Sequence, residues 1–130
     1  MAHPAHSTVP LPDRHLALLT FLRLAALECR ASSRLDLTQA CKVLDPEIDA
    51  GDLATILARA LPQVLFHRPQ ILAPGALGRS FDEDWLLALA DAIARGDRLS
   101  ERFLLRRRCH PHRASHLSLL LRELEDRLAA

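Results

Sequence analysis

The sequence predicts an all-α fold: a single compact bundle of five or six helices with a short Pro/Gly-containing irregular segment in the middle. Three observations carry that expectation. Of the 130 residues, 28 are Leu, 20 are Ala and 16 are Arg, all strong helix formers. The residues that favour strands are scarce, with 4 Phe, 1 Trp and no Tyr. Apolar positions recur at spacings of three and four, and capping or turn residues separate the windows.

The elements follow in chain order. Residues 1–12 hold Pro4, Pro10 and Pro12 without a helical period, which predicts an extended N-terminal arm. Residues 13–130 read as one helical domain, with sub-halves 13–66 and 80–130 joined by 67–79. Asp13 offers a helix N-cap, and Leu16 to Leu27 is apolar except for Thr20 and Arg23. A helix apolar around most of its circumference belongs in the centre of a bundle, and this one is expected to end near Ala31-Ser32-Ser33. Asp36, with Gln39 three residues on, predicts a short helix from Leu37 to Leu44, closed by Asp45-Pro46. From Asp52 a stripe runs through Leu53, Ile56, Leu57, Ala60, Leu61, Val64 and Leu65, and Pro62 inside it predicts a kink.

Pro69, Pro74, Gly75 and Gly78 make 67–79 irregular, with Arg68 to Ala73 extended and a turn at Pro74-Gly75. Ser80-Phe81-Asp82-Glu83 fits a capping box, opening a helix that buries Trp85, Leu86, Leu89 and Ile93 and stops at Gly96. A shorter helix is expected over Leu99 to Arg107, with Phe103 in the core. Pro111 suits the first turn of a last helix carrying Ala114, Leu117, Leu121, Leu124 and Leu128, with Leu120 beside them. That stripe could serve as a bundle seam or as a homodimer seam.

Composition excludes several classes. With 49% hydrophobic and 25% charged residues, neither wholesale disorder nor a fibrous fold is expected. No apolar run approaches the roughly 20 residues of a membrane span, and no basic-then-apolar start suggests secretion. A cytoplasmic protein with reduced thiols is the expectation, with Cys29 and Cys41 as small core residues. The Arg, Ala and Leu excess hints at the codon supply of a GC-rich bacterial genome, which weakens any inference that each Arg was selected for phosphate.

One stretch draws attention chemically. Residues 98–116 contain Arg98, Arg102, Arg106, Arg107, Arg108 and Arg113 against a single acid, Glu101. Arg102, Arg106, Arg107, Arg108, Arg113 and His116 are the candidate partner- or anion-binding residues, because guanidinium forks suit carboxylate and phosphate. Against nucleic acid stand a net charge of +1 and the lack of interleaved aromatics for base stacking. Consecutive Arg106 to Arg108 also spread around a helix. Acids cluster at 45–52 and 82–91, so this patch could meet them within the fold or across a partner. Cys109, His112 and His116 are weak metal candidates at helical spacing, with no carboxylate beside them and several guanidiniums nearby. His3 and His6 are weaker still.

A helix-turn-helix drawn from Leu37–Leu44 and Asp52–Leu65 is rejected, since its second helix begins with acids and offers only Arg59. No glycine-rich phosphate loop, GxSxG elbow or HExxH occurs, and Ser32 and Ser33 have no neighbouring His. Neither catalytic residues nor a cofactor site is expected. The leading expectation is a non-catalytic helical interaction or regulatory module that binds a protein partner or itself. The alternative is a nucleic-acid accessory protein gripping phosphates through 98–116, and the weaker one a metal-responsive protein.

Overall fold

The structure, a computed structural model, describes residues 9–29, 36–42 and 44–129. The first part of the expected arm, with His3 and His6, lies outside the described residues, as do Ala31, Ser32 and Ser33. The described residues form an all-α bundle of six helices: α1 (Asp13–Glu28), α2 (Leu37–Lys42), α3 (Ala50–Val64), α4 (Phe81–Arg95), α5 (Arg98–Arg108) and α6 (Ala114–Ala129). Helix α3 packs on α1 and α6, α6 also meets α1, α2 and α4, and α5 leans chiefly on α4.

The α3 stripe forms the centre: Leu53, Ala54, Leu57, Ala60, Leu61 and Val64 are all buried. Facing it are Leu117, Leu120, Leu121 and Leu124 of α6, Leu86 and Leu89 of α4, and Leu18 and Leu22 of α1. Each such leucine contributes roughly 1.5–3 kcal/mol on burial. The α6 stripe is consumed within this core, and Leu128 packs against its edge, so these leucines do not form an open dimer seam.

Several boundaries differ from expectation for local reasons. Pro12, not Asp13, is the N-cap of α1, and Asp13 sits in the first turn, where its charge complements the helix dipole. Helix α1 lies at the side of the bundle rather than its centre, because Leu16, Leu24 and Leu27 remain exposed. Helix α3 begins two residues before Asp52, since the Asp49 side chain accepts the Asp52 N–H at 2.8 Å. It continues past Pro62 only as far as Val64, leaving Leu65 extended. Pro111 precedes α6 in a separate turn, where Arg113 N–H donates to His110 O. Asp36 does receive the Gln39 N–H at 3.0 Å, as its spacing predicts. Gly96 ends α4 in the left-handed conformation at φ 69°.

Arg23, the one charged residue in the apolar Leu16–Leu27 stretch of α1, explains how the irregular middle segment is held. Arg23 Nε and Nη2 donate to the two Glu83 carboxylate oxygens at 2.8 and 2.9 Å. Nη1 donates to Ala76 O at 3.1 Å and Nη2 also to Gly78 O at 2.8 Å. Glu83, fully buried, also accepts from Leu72 N–H at 3.0 Å and from Ser80 N–H at 2.9 Å. Ser80 Oγ receives the Glu83 N–H, completing the expected capping box, and donates to Gln70 O at 2.6 Å. A segment whose own backbone pairing is a turn, with Ala76 N–H donating to Ala73 O at 3.1 Å, is thereby fixed at residues 70, 72, 76, 78 and 80. Burial alone pushes the Glu83 carboxyl upward in pKa, but the Arg23 guanidinium and the Ser80 and Leu72 N–H groups outweigh it. Its pKa therefore falls below the ordinary carboxylate value.

Removing either partner strands the other charge in the interior. Arg23→Ala or Glu83→Ala is expected to cost about 3–5 kcal/mol in chemical denaturation. Because the folded pKa of Glu83 is depressed, its contribution is present above the ordinary glutamate range and lost as pH falls through the lower folded value. Glu83→Gln cannot titrate and should show a shallower loss of stability with acid. An unchanged acid slope in that variant would contradict the assignment.

Candidate functional site

Helix α5 has no buried residue. Ser100, Glu101, Leu104, Leu105 and Arg108 are half-buried, whereas Arg98, Leu99, Arg102, Phe103, Arg106 and Arg107 are exposed. At 3.6 residues per turn, Leu99, Arg102, Phe103, Arg106 and Arg107 share one outward arc of roughly 140°. Leu99 is 80% and Phe103 60% exposed, so both stand clear of the core that was expected to take Phe103. Arg107 lies over the Phe103 ring, 5.5 Å from its centroid.

The inner side of α5 is tied down at several points. Trp85 Nε1 donates to Leu104 O at 3.2 Å, and Ser118 Oγ donates to Glu101 at 2.7 Å. Leu104 and Leu105 pack against the core. Both ends are fixed as well. Asp97 caps the start, accepting from Ser100 N–H at 3.1 Å and Ser100 Oγ at 2.6 Å. Beyond the last turn, Cys109 pairs with Leu65 in a short antiparallel bridge. There Phe66 N–H donates to Arg108 O and His110 N–H to Val64 O, both at 2.8 Å.

The sequence-predicted residues separate into two groups. Arg102, Arg106 and Arg107 come together on the outward arc. Arg108 points the other way: it pairs with Asp82 and lies over Trp85 and Phe81, at 5.3 and 5.5 Å from their centroids. Arg113 is anchored at Gln63 O at 2.8 Å, and His116 is half-buried at the start of α6. The meeting of the basic stretch with internal acids is therefore realised at Arg108. Among the described residues, Arg98, Arg102, Arg106 and Arg107 make no ion pair. Carboxylates near them are engaged elsewhere: Asp91 by Arg14 and Arg95, Asp97 by Arg95 and Ser100, Glu101 by Ser118.

Sequence reasoning missed Leu99 and Phe103. The 98–108 window carries two apolar pairs on different sides of the helix, Leu99/Phe103 and Leu104/Leu105, and only one pair can face inward. Leu104 and Leu105 lie on the side that the Trp85 and Arg108 contacts turn toward α4. Aromatic placement adds a second sign: Phe66 and Phe81 are also exposed, with Phe66 edge-on to His110 at 4.9 Å.

The weak metal candidates are not gathered. Cys109 is 1% exposed and lies in the bridge after α5, while His112 occupies the turn before α6, so helical spacing does not align them. Among the described residues, no three His, Cys, Asp or Glu side chains are grouped to hold a metal ion. No helix among them is long and apolar enough to cross a membrane. Comparisons with protein-family models, curated proteins and solved structures produced no match.

Cys109, not Cys29 or Cys41, is the buried thiol; the other two are half-buried. Burial pushes the Cys109 pKa up to about 11, only partly opposed by Arg108. Since the thiolate is the reactive form, native protein treated with iodoacetamide at mildly alkaline pH should label Cys109 last. Peptide mapping should show full modification of Cys109 only after denaturation. Rapid native labelling there would contradict the buried bridge.

Proposed function

We propose that this protein is a non-catalytic interaction module that binds a protein partner through the outward arc of α5. The observation that carries the reading is the coexistence, on one arc, of two exposed apolar side chains with arginines that have no internal carboxylate. Aromatic residues and arginine dominate the energetically important centres of protein interfaces. Covering Leu99 and Phe103 would contribute roughly 1.5–3 kcal/mol each, on a helix whose conformation is already fixed by its inner face. The arginines flanking them would supply direction and partner choice more than raw affinity.

A second reading is favoured by one observation. Exposed Phe103 supplies an aromatic among arginines, so phosphate gripping by Arg102, Arg106 and Arg107 with base stacking on Phe103 is the alternative. It is weakened by the net charge of +1 and by the positions of Arg113 and His116 off the arc.

The test uses immobilised full-length protein and nuclease-treated lysate of the native host. Wild-type protein should retain a partner that Leu99→Ser/Phe103→Ser loses, with helical content unchanged by circular dichroism. Retention that disappears with nuclease treatment, or that survives in the double variant, would overturn the reading.

A further inference from the structure

Resting on the reading of α5 as an interaction face, we infer that its partner is an acidic amphipathic helix, two apolar residues of which cover Leu99 and Phe103 while its carboxylates meet Arg98, Arg102, Arg106 and Arg107. Charge is the first reason. The protein as a whole is almost neutral at +1, yet these four guanidiniums stand together on an 11-residue helix without an ion-pair partner among the described residues. Arg108, on the inner side of the same helix, has one in Asp82. The fold thus neutralises the inner arginine and leaves the outer ones to an external anion.

Apolar geometry is the second reason. Leu99 and Phe103 are four residues apart, on one stripe and roughly 6 Å apart along the axis. Both lie between arginines: Arg98 and Arg102 on one flank, Arg107 on the other, and Arg106 one turn beyond Phe103. A phosphate backbone has nothing to offer an 80%-exposed leucine, whereas an amphipathic helix presents apolar residues at the same three- and four-residue spacing with acids beside them. The backbone of α5 is saturated by its own helix, so an added strand has no edge to pair with. Recognition has to run through side chains, as in helix-on-helix packing. The face is about 16 Å long, which matches three turns of a partner helix.

The probe is a designed helical peptide of three to four turns with two leucines four apart, bordered by glutamates. It is titrated into full-length protein and followed by fluorescence anisotropy and by amide shifts. Saturable binding that perturbs α5 amides is expected, weakening several-fold between about 0.1 and 1 M salt as screening tightens. Leu99→Ser/Phe103→Ser should lower affinity by at least about tenfold. Arg102→Glu/Arg106→Glu should abolish binding of the glutamate peptide and gain binding of its lysine counterpart. Equal binding of polyglutamate or single-stranded DNA, or indifference to the Leu99/Phe103 changes, would overturn the inference. The two readings separate in a competition experiment. If the peptide neither binds nor displaces a lysate partner that Leu99→Ser/Phe103→Ser loses, the acidic-helix assignment falls and the interaction face stands. If no such partner is retained, both fall.

Discussion

The Arg23–Glu83 pair is the constraint on which the rest of this structure depends. A guanidinium and a carboxylate in the interior are costly unless every hydrogen-bonding position is filled. Here the filling is done by the backbone of the segment that has no regular structure: Leu72 and Ser80 donate to Glu83, and Ala76 and Gly78 accept from Arg23. The pair therefore joins α1 to the start of α4 and fixes the irregular chain between α3 and α4. Asp82 and Trp85 sit on the same first turns of α4 and hold Arg108. The orientation of α5 follows from that chain of contacts.

Much of this was legible in the sequence, and the failures have specific causes. Periodicity identified the α3 stripe and the α6 stripe, because long amphipathic windows leave little choice of face. The Ser80/Glu83 capping box was legible from two residues at fixed spacing. The second role of Glu83 was not. Its partner Arg23 lies 60 residues away, and its trace in the sequence is a single charge inside the apolar Leu16–Leu27 stretch. Within the basic stretch, all the arginines look alike until α4 is in place. Asp82 and two aromatic rings then turn Arg108 inward, and its neighbours Arg106 and Arg107 remain outside. Hydrophobicity alone places Phe103 in the core, and the competing pair Leu104/Leu105 takes that position.

The distribution of side chains is unusual for so leucine-rich a chain. The interior is built of Leu and Ala, whereas three of the four phenylalanines are exposed, each beside a cationic or imidazole group. Leucine fills most of the space where α1, α3, α4 and α6 meet, and Trp85 is the aromatic ring buried with it among the described residues. The rings outside are held in place by Arg107, Arg108 and His110, which limits their freedom before anything binds. Preorganised contact of this kind lowers the entropy lost on association.

Trp85 is the sole tryptophan, and the chain contains no tyrosine. Its indole bonds to the Leu104 carbonyl and lies beneath the Arg108 guanidinium, at the seam between α4 and α5. Near-ultraviolet emission from this protein consequently originates at one place, against the helix proposed to bind. Any tilt or detachment of α5 alters the field and the water around that indole, so the molecule carries an intrinsic optical reporter of its own seam.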